Sequence, residues 1–131
     1  MHFFKSLFSS FAFVLCSVSL NGAIWEITQE NFDEIIGSKK PVILDVRTSW
    51  CSACQMMEPI VDEMSERYEG QIAFAKLDLD AEGELVKSFD ITSLPTFLFF
   101  KSGQKKPVMR EVGALSSEEF EAKISQFLKK R

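Results

Sequence analysis

The segment Val42-Ile43-Leu44-Asp45-Val46-Arg47-Thr48-Ser49-Trp50-Cys51-Ser52-Ala53-Cys54 changes its period halfway along. Val42 to Val46 is an apolar run interrupted by one carboxylate, the pattern of a central strand covered on both faces. From about Ser49 the period becomes helical: Met56, Met57, Ile60, Val61, Met64 and Tyr68 fall on one face, with Asp62, Glu63, Glu66 and Arg67 opposite. This spacing predicts a long amphipathic helix whose methionine stripe packs into the core. Pro59 lies inside that helix, removes a backbone hydrogen bond and is expected to kink it. Cys51 and Cys54 therefore stand at a strand-to-helix junction, one turn apart on the same face.

Working outward, Ile24 to Ile27 alternates as a short strand, and Thr28 is placed to cap a helix over Gln29–Ile36 that Gly37 ends. Gln71–Leu79 reads as a second buried strand, Glu82–Phe89 as a short helix, and Thr96–Phe100 as a strongly apolar strand. Ser102-Gly103-Gln104 is a turn, Pro107–Val112 an edge strand, and Ser116 with Glu119 a capping box. The last helix carries Phe120, Ile124, Phe127 and Leu128 on its apolar face. The order βαβαβα followed by ββα predicts an α/β domain, with one mixed sheet and helices on both faces.

The chain has 131 residues, enough for one domain, and 46% are hydrophobic, so a core can form without disulfide staples. A net charge of −4 argues against a nucleic-acid groove, and the basic Lys129-Lys130-Arg131 end suits a helix C-terminus. Residues 1–23 are a different kind of sequence. Lys5 is followed by an uncharged run through Trp25, apolar from Leu7 to Leu20. This is the pattern of a cleaved export signal. It also approaches the ~20 residues that cross a bilayer, so anchorage to a membrane through residues 7–23 stays open. The domain is expected over 24–131, outside the cytoplasm: periplasmic, secreted or held at the inner membrane. Loss of 1–23 removes His2 and Cys16, leaving two cysteines and no histidine.

That remainder restricts the chemistry. A structural zinc needs four Cys or His ligands, and the domain offers two, so no metal is expected. A structural disulfide closing so short a loop constrains little of the unfolded chain. A cysteine–histidine nucleophile lacks its histidine. Redox chemistry fits best: the helix N-terminus favours a thiolate at Cys51, which can attack a disulfide, and Cys54 one turn on can resolve the mixed disulfide.

From about Ile24 to Leu128 the chain resembles the thioredoxin family. The resemblance rests on Asp45 six residues before Cys51, Trp50-Cys51-x-x-Cys54, Pro59, Ala75-Lys76-Leu77-Asp78, Leu94-Pro95-Thr96 and Val112-Gly113-Ala114-Leu115. It implies the thioredoxin fold and a thiol–disulfide oxidoreductase with no cofactor. Cys51 would be the nucleophile, Cys54 the resolving cysteine, Asp45 the proton acceptor and Lys76 the cation coupled to it. Pro95 would be cis, with Leu94, Thr96, Trp50, Gly113 and Ala114 forming the substrate rim. Partners would be proteins carrying disulfides or dithiols, and an upstream electron donor or acceptor.

The sequence departs from the family pattern at Ser52-Ala53 in place of Gly-Pro, at Arg47 and at Glu58. Loss of the proline is expected to make the disulfide easier to reduce. Arg47 reads equally as a thiolate or partner contact and as a solvated surface charge. Reductase or isomerase action outside the cytoplasm is the leading expectation. A non-catalytic module that holds peptides in the Leu94-Pro95 groove is the alternative, and a metal- or cluster-bridged dimer a third reading.

Overall fold

The computed structural model describes residues 23–130; all of the expected leader or anchor except Ala23 lies outside them. β2 (Val42–Arg47) runs through the middle of a five-stranded sheet. It is parallel to β3 (Ala73–Asp78) on one side and antiparallel to β4 (Thr96–Phe100) on the other. β1 (Ile24–Glu26) joins β3 in parallel and β5 (Pro107–Val112) joins β4 antiparallel, giving the order β1-β3-β2-β4-β5. Pro107, with no N–H to donate, opens an edge strand, where its loss to the ladder costs least.

α2 (Ser52–Arg67) and α4 (Ser117–Lys129) cover one face of the sheet. Met57, Val61 and Met64 of α2 meet Phe120, Ile124 and Phe127 of α4 over Ile43, Phe74, Phe97 and Phe99. Phe97 and Phe120 pack with ring centroids 4.8 Å apart and Phe99 and Phe127 at 5.3 Å. The methionine stripe of α2 is therefore core, with Met56 exposed as its exception. The capping box at Ser116 is formed, each residue bonding the other's backbone N–H. On the other face, α1 (Phe32–Ile36) and the segment after β3 pack on Val42, Leu44, Val46, Leu98 and Phe100.

Two helices differ from the sequence-based expectation. α1 begins at Phe32, not Gln29, because the Asn31 side chain accepts from Thr28 N–H at 2.8 Å and donates to the Glu26 carbonyl at 2.8 Å, tying 28–31 into a turn. Gly37 ends that helix by tolerating close approach: a Cβ there would meet the Asp33 carbonyl oxygen at 2.8 Å. The helix expected over Glu82–Phe89 divides into a short α3 (Leu79–Glu82) and a 3-10 turn (Gly83–Phe89), which stops where Asp90 takes φ 51°.

The topology places the carboxyl ends of β2 and β3, the start of β4 and the end of β5 at one edge of the sheet. Both cysteines lie at that edge. Ala23, the first described residue, precedes β1, whose start lies at the opposite edge of the sheet.

Candidate active site

Cys51 is the N-cap of α2, with extended backbone (φ −83°, ψ 109°), so its side chain projects over the first turn. Its Sγ accepts from the Cys54 N–H at 3.2 Å. Free N–H groups and the positive end of the helix dipole favour negative charge there, and the first turn holds no acidic residue to oppose it. Cys51 and Cys54 are joined by a disulfide, with Cα atoms 5.2 Å apart. Cys54 is fully buried while Cys51 keeps 8% exposure, so only the Cys51 sulfur can be approached from outside.

Asp45 shares the α2 side of β2 with Ile43, since alternate strand residues face the same way. Its cross-strand neighbours are Lys76 on β3 and Phe97 on β4. The carboxyl is 2% exposed, and its Oδ1 accepts no hydrogen bond. Burial pushes its pKa from 3.8 up to about 7; Arg47 and Lys76 pull it down, and Glu58 and Glu26 push it up. A carboxylate titrating near neutrality is suited to exchanging protons with a thiol.

Leu94–Pro95 is a cis peptide, preceding β4. The Pro95 carbonyl accepts from the Gly113 N–H at 2.8 Å, and Gly113 holds φ +93°, a conformation that favours glycine. A groove of about 360 Å³ runs beside Cys51, walled by Trp50, Leu79, Ile91, Thr92, Ser93 and Leu94. Trp50 and Leu94 thus come together at the reactive sulfur. Ala114 is exposed next to Gly113 but does not line the groove. Thr96 departs from its expected place on the substrate rim. It is 1% exposed, and its hydroxyl donates to the Ser93 carbonyl at 2.7 Å, so its side chain shapes the loop from within.

Asp80 was not among the residues expected at the site. The Trp50 indole, 70% exposed, donates its N–H to the Asp80 carboxylate at 2.7 Å, across thirty residues of sequence. The acidic run Asp78-Leu79-Asp80 is visible in sequence, and Asp78 itself caps α3 by accepting the Asp80 N–H. Nothing in the chain order ties either acid to the tryptophan. Asp80→Ala is expected to free the ring and raise KM for a protein disulfide roughly fivefold, the value of about one hydrogen bond, with kcat unchanged. Steady-state reduction kinetics measure the split; an equal fall in kcat would mean Asp80 acts on the chemical step.

Among the described residues no group of three or more His, Cys, Asp or Glu side chains is placed to hold a metal ion, and no helix is long and apolar enough to cross a membrane.

A family model described as Thioredoxin matches residues 23–126. The thioredoxin of Alicyclobacillus acidocaldarius is 35% identical over 106 residues, covering 81% of this chain and 99% of its own length. That of Chlorobaculum thiosulfatiphilum is 36% identical over 108 residues, covering 82% and 98%. The crystal structure of the Malassezia sympodialis thioredoxin superposes with a TM-score of 0.72 at 30% identity, covering 81% of this chain and 91% of that one.

Proposed function

The chain belongs to the thioredoxin family and carries its redox disulfide at Cys51–Cys54, and from that premise we propose that it reduces or isomerises protein disulfides outside the cytoplasm. The observation that carries the enzymatic reading is the unequal burial of the two sulfurs, at a helix N-terminus and next to an apolar groove.

In the reduced state the Cys51 thiolate attacks one sulfur of a substrate disulfide held along the groove at Leu94. A Cys51–substrate bond forms, the substrate S–S bond breaks, and the first substrate thiolate leaves. Asp45 accepts the Cys54 proton, with Lys76 across the sheet balancing the carboxylate charge. Cys54 then attacks Cys51 Sγ, which closes the protein disulfide and releases the second substrate thiolate. Two electrons pass from the protein dithiol to the substrate disulfide. Regeneration requires a dithiol donor. A relative in Mycobacterium leprae, 37% identical over 94 residues that make up 20% of that protein, is a bifunctional thioredoxin reductase/thioredoxin; the chemistry of this site accepts electrons from such a reductase or from another dithiol protein.

The extracytoplasmic part of the proposal rests on the uncharged, apolar run that precedes the domain. Fractionation of cells expressing the full chain is expected to place it in the periplasm, the medium or the membrane fraction with Cys51 accessible to an impermeant thiol reagent. Recovery in the cytosol would refute the location and leave the chemistry standing.

A further inference from the structure

Beneath the first turns of α2, beside Asp45, lies a second cleft of about 260 Å³, lined by Glu26, Arg47, Thr48, Ser49, Glu58, Lys76 and Asp78. A water molecule takes about 30 Å³, so the cleft has room for several. Its walls come from four elements: Glu26 from β1, Arg47 from β2, Lys76 and Asp78 from β3, and Glu58 from α2. On the fourth strand Asp45 faces Phe97, and the acid beyond, Glu111, is paired with Lys123 at 3.0 Å. Two buried oxygens have no protein partner: Thr48 Oγ1, of a residue that lines the cleft, and Asp45 Oδ1, of the residue paired across the sheet with the cleft-lining Lys76. Buried polar atoms of this kind require hydration, and the polar cleft is the place that can supply it.

Across this cleft Arg47 and Glu58 form an ion pair of 2.5 Å. Arg47 follows Asp45 by two residues on the same strand, so its side chain leaves the sheet on the same face. It is only 13% exposed, while Glu58 is 44% exposed. The guanidinium is therefore neither a freely solvated charge nor part of the rim around Cys51. It bridges the end of the central strand to the second turn of the helix that carries both cysteines.

We propose that the Arg47–Glu58 pair is a positioning device for the exchange reaction, spanning the polar cleft next to Asp45 and fixing how strongly Asp45 holds its proton. The proposal rests on the reading of Asp45 as proton acceptor and extends it to two residues with opposite signs. Arg47 favours the carboxylate, and Glu58 restrains that effect by neutralising Arg47 and by its own charge. Each charge is held in place by the other, so loss of either leaves a polarity of known sign beside a poorly solvated acid.

The test is the Asp45 carboxyl titration in the oxidised full-length protein, followed by the 13C shift of its side chain, together with the pH profile of kcat/KM. Arg47→Gln is expected to raise the midpoint and Glu58→Gln to lower it, each by about one pH unit, a tenfold change in proton affinity. The double variant is expected to return close to the native midpoint, and Arg47→Lys, which keeps the charge, to stay there. Shifts of the same sign in both single variants, or none in either, overturn the proposal while a titrating Asp45 preserves the proton-acceptor reading. An Asp45→Asn protein with an unaltered pH profile removes the reading and the proposal together. A merely structural ion pair would lower stability in both single variants without opposing shifts.

Discussion

Replacing Cys51 with serine is expected to abolish disulfide exchange, slowing reduction of a protein disulfide such as insulin by about a thousandfold or more. The basis is access as much as chemistry. Cys54, in the first turn of α2, is fully buried and cannot take over the attack, whereas Cys51 opens onto the groove at Trp50 and Leu94. Cys54→Ser has a different expected result. Cys51 still attacks, but the mixed disulfide lacks its resolving sulfur and accumulates as a covalent adduct with the substrate. Mass spectrometry of the quenched reaction distinguishes the two variants. A Cys51→Ser protein that reduced insulin at the native rate would leave the groove as a peptide-holding surface.

The second large effect concerns Asp45. Burial keeps its carboxyl protonated to about pH 7 in the folded chain, against an ordinary value of 3.8. Between those values the unfolded chain binds fewer protons than the folded one, so stability falls as pH rises through this window. Above about pH 7 the full cost, on the order of 4 kcal/mol, is present. Asp45→Asn removes the titration. At pH 8 the variant is expected to be more stable than the native protein by about 2–4 kcal/mol, with the difference vanishing near pH 4. Its exchange rate at neutral pH is expected to fall about a hundredfold, because Cys54 loses its base. Chemical denaturation across pH measures the first effect and insulin reduction the second. A gain in stability with no loss of rate would make Asp45 a buried acid without a role in the reaction.

The opposition of these two effects explains how much could be read from sequence. A carboxylate in the middle of Val42–Val46 conflicts with a strand buried on both faces, and that conflict marks Asp45 without any coordinates. The strand-to-helix junction was equally plain, because the period changes within a few residues. The element order led directly to the mixed sheet. The start of α1 was hidden because it depends on one side chain, Asn31, bonding back to Glu26 and Thr28. The 3-10 turn over Gly83–Phe89 was hidden because helical spacing over seven residues does not distinguish a tight turn from an α-helix.

The parts of the site that escaped were pairings across the fold. Trp50 with Asp80 and Arg47 with Glu58 involve side chains on different elements, and a charged residue such as Arg47 reads equally as a site contact and as a solvated charge until its partner is seen. Strand parity did hold the clue for Arg47, since it follows Asp45 by two and must leave the same face. Thr96 differs for another reason: the family resemblance carries it to the substrate rim with Leu94-Pro95, but its hydroxyl is bonded to Ser93 within the loop.

A redox titration of the full-length protein against mixtures of reduced and oxidised glutathione, with alkylation of free thiols and peptide mapping of Cys51 and Cys54, tests the redox cycle most directly. A reversible transition is expected in which both cysteines pass together from alkylated to disulfide-bonded, with the slope of a two-electron couple, tenfold in equilibrium per 29.6 mV. A pair that stays bonded under strongly reducing mixtures, or free under strongly oxidising ones, would contradict a reversible exchange centre and make Cys51–Cys54 a fixed feature of the fold.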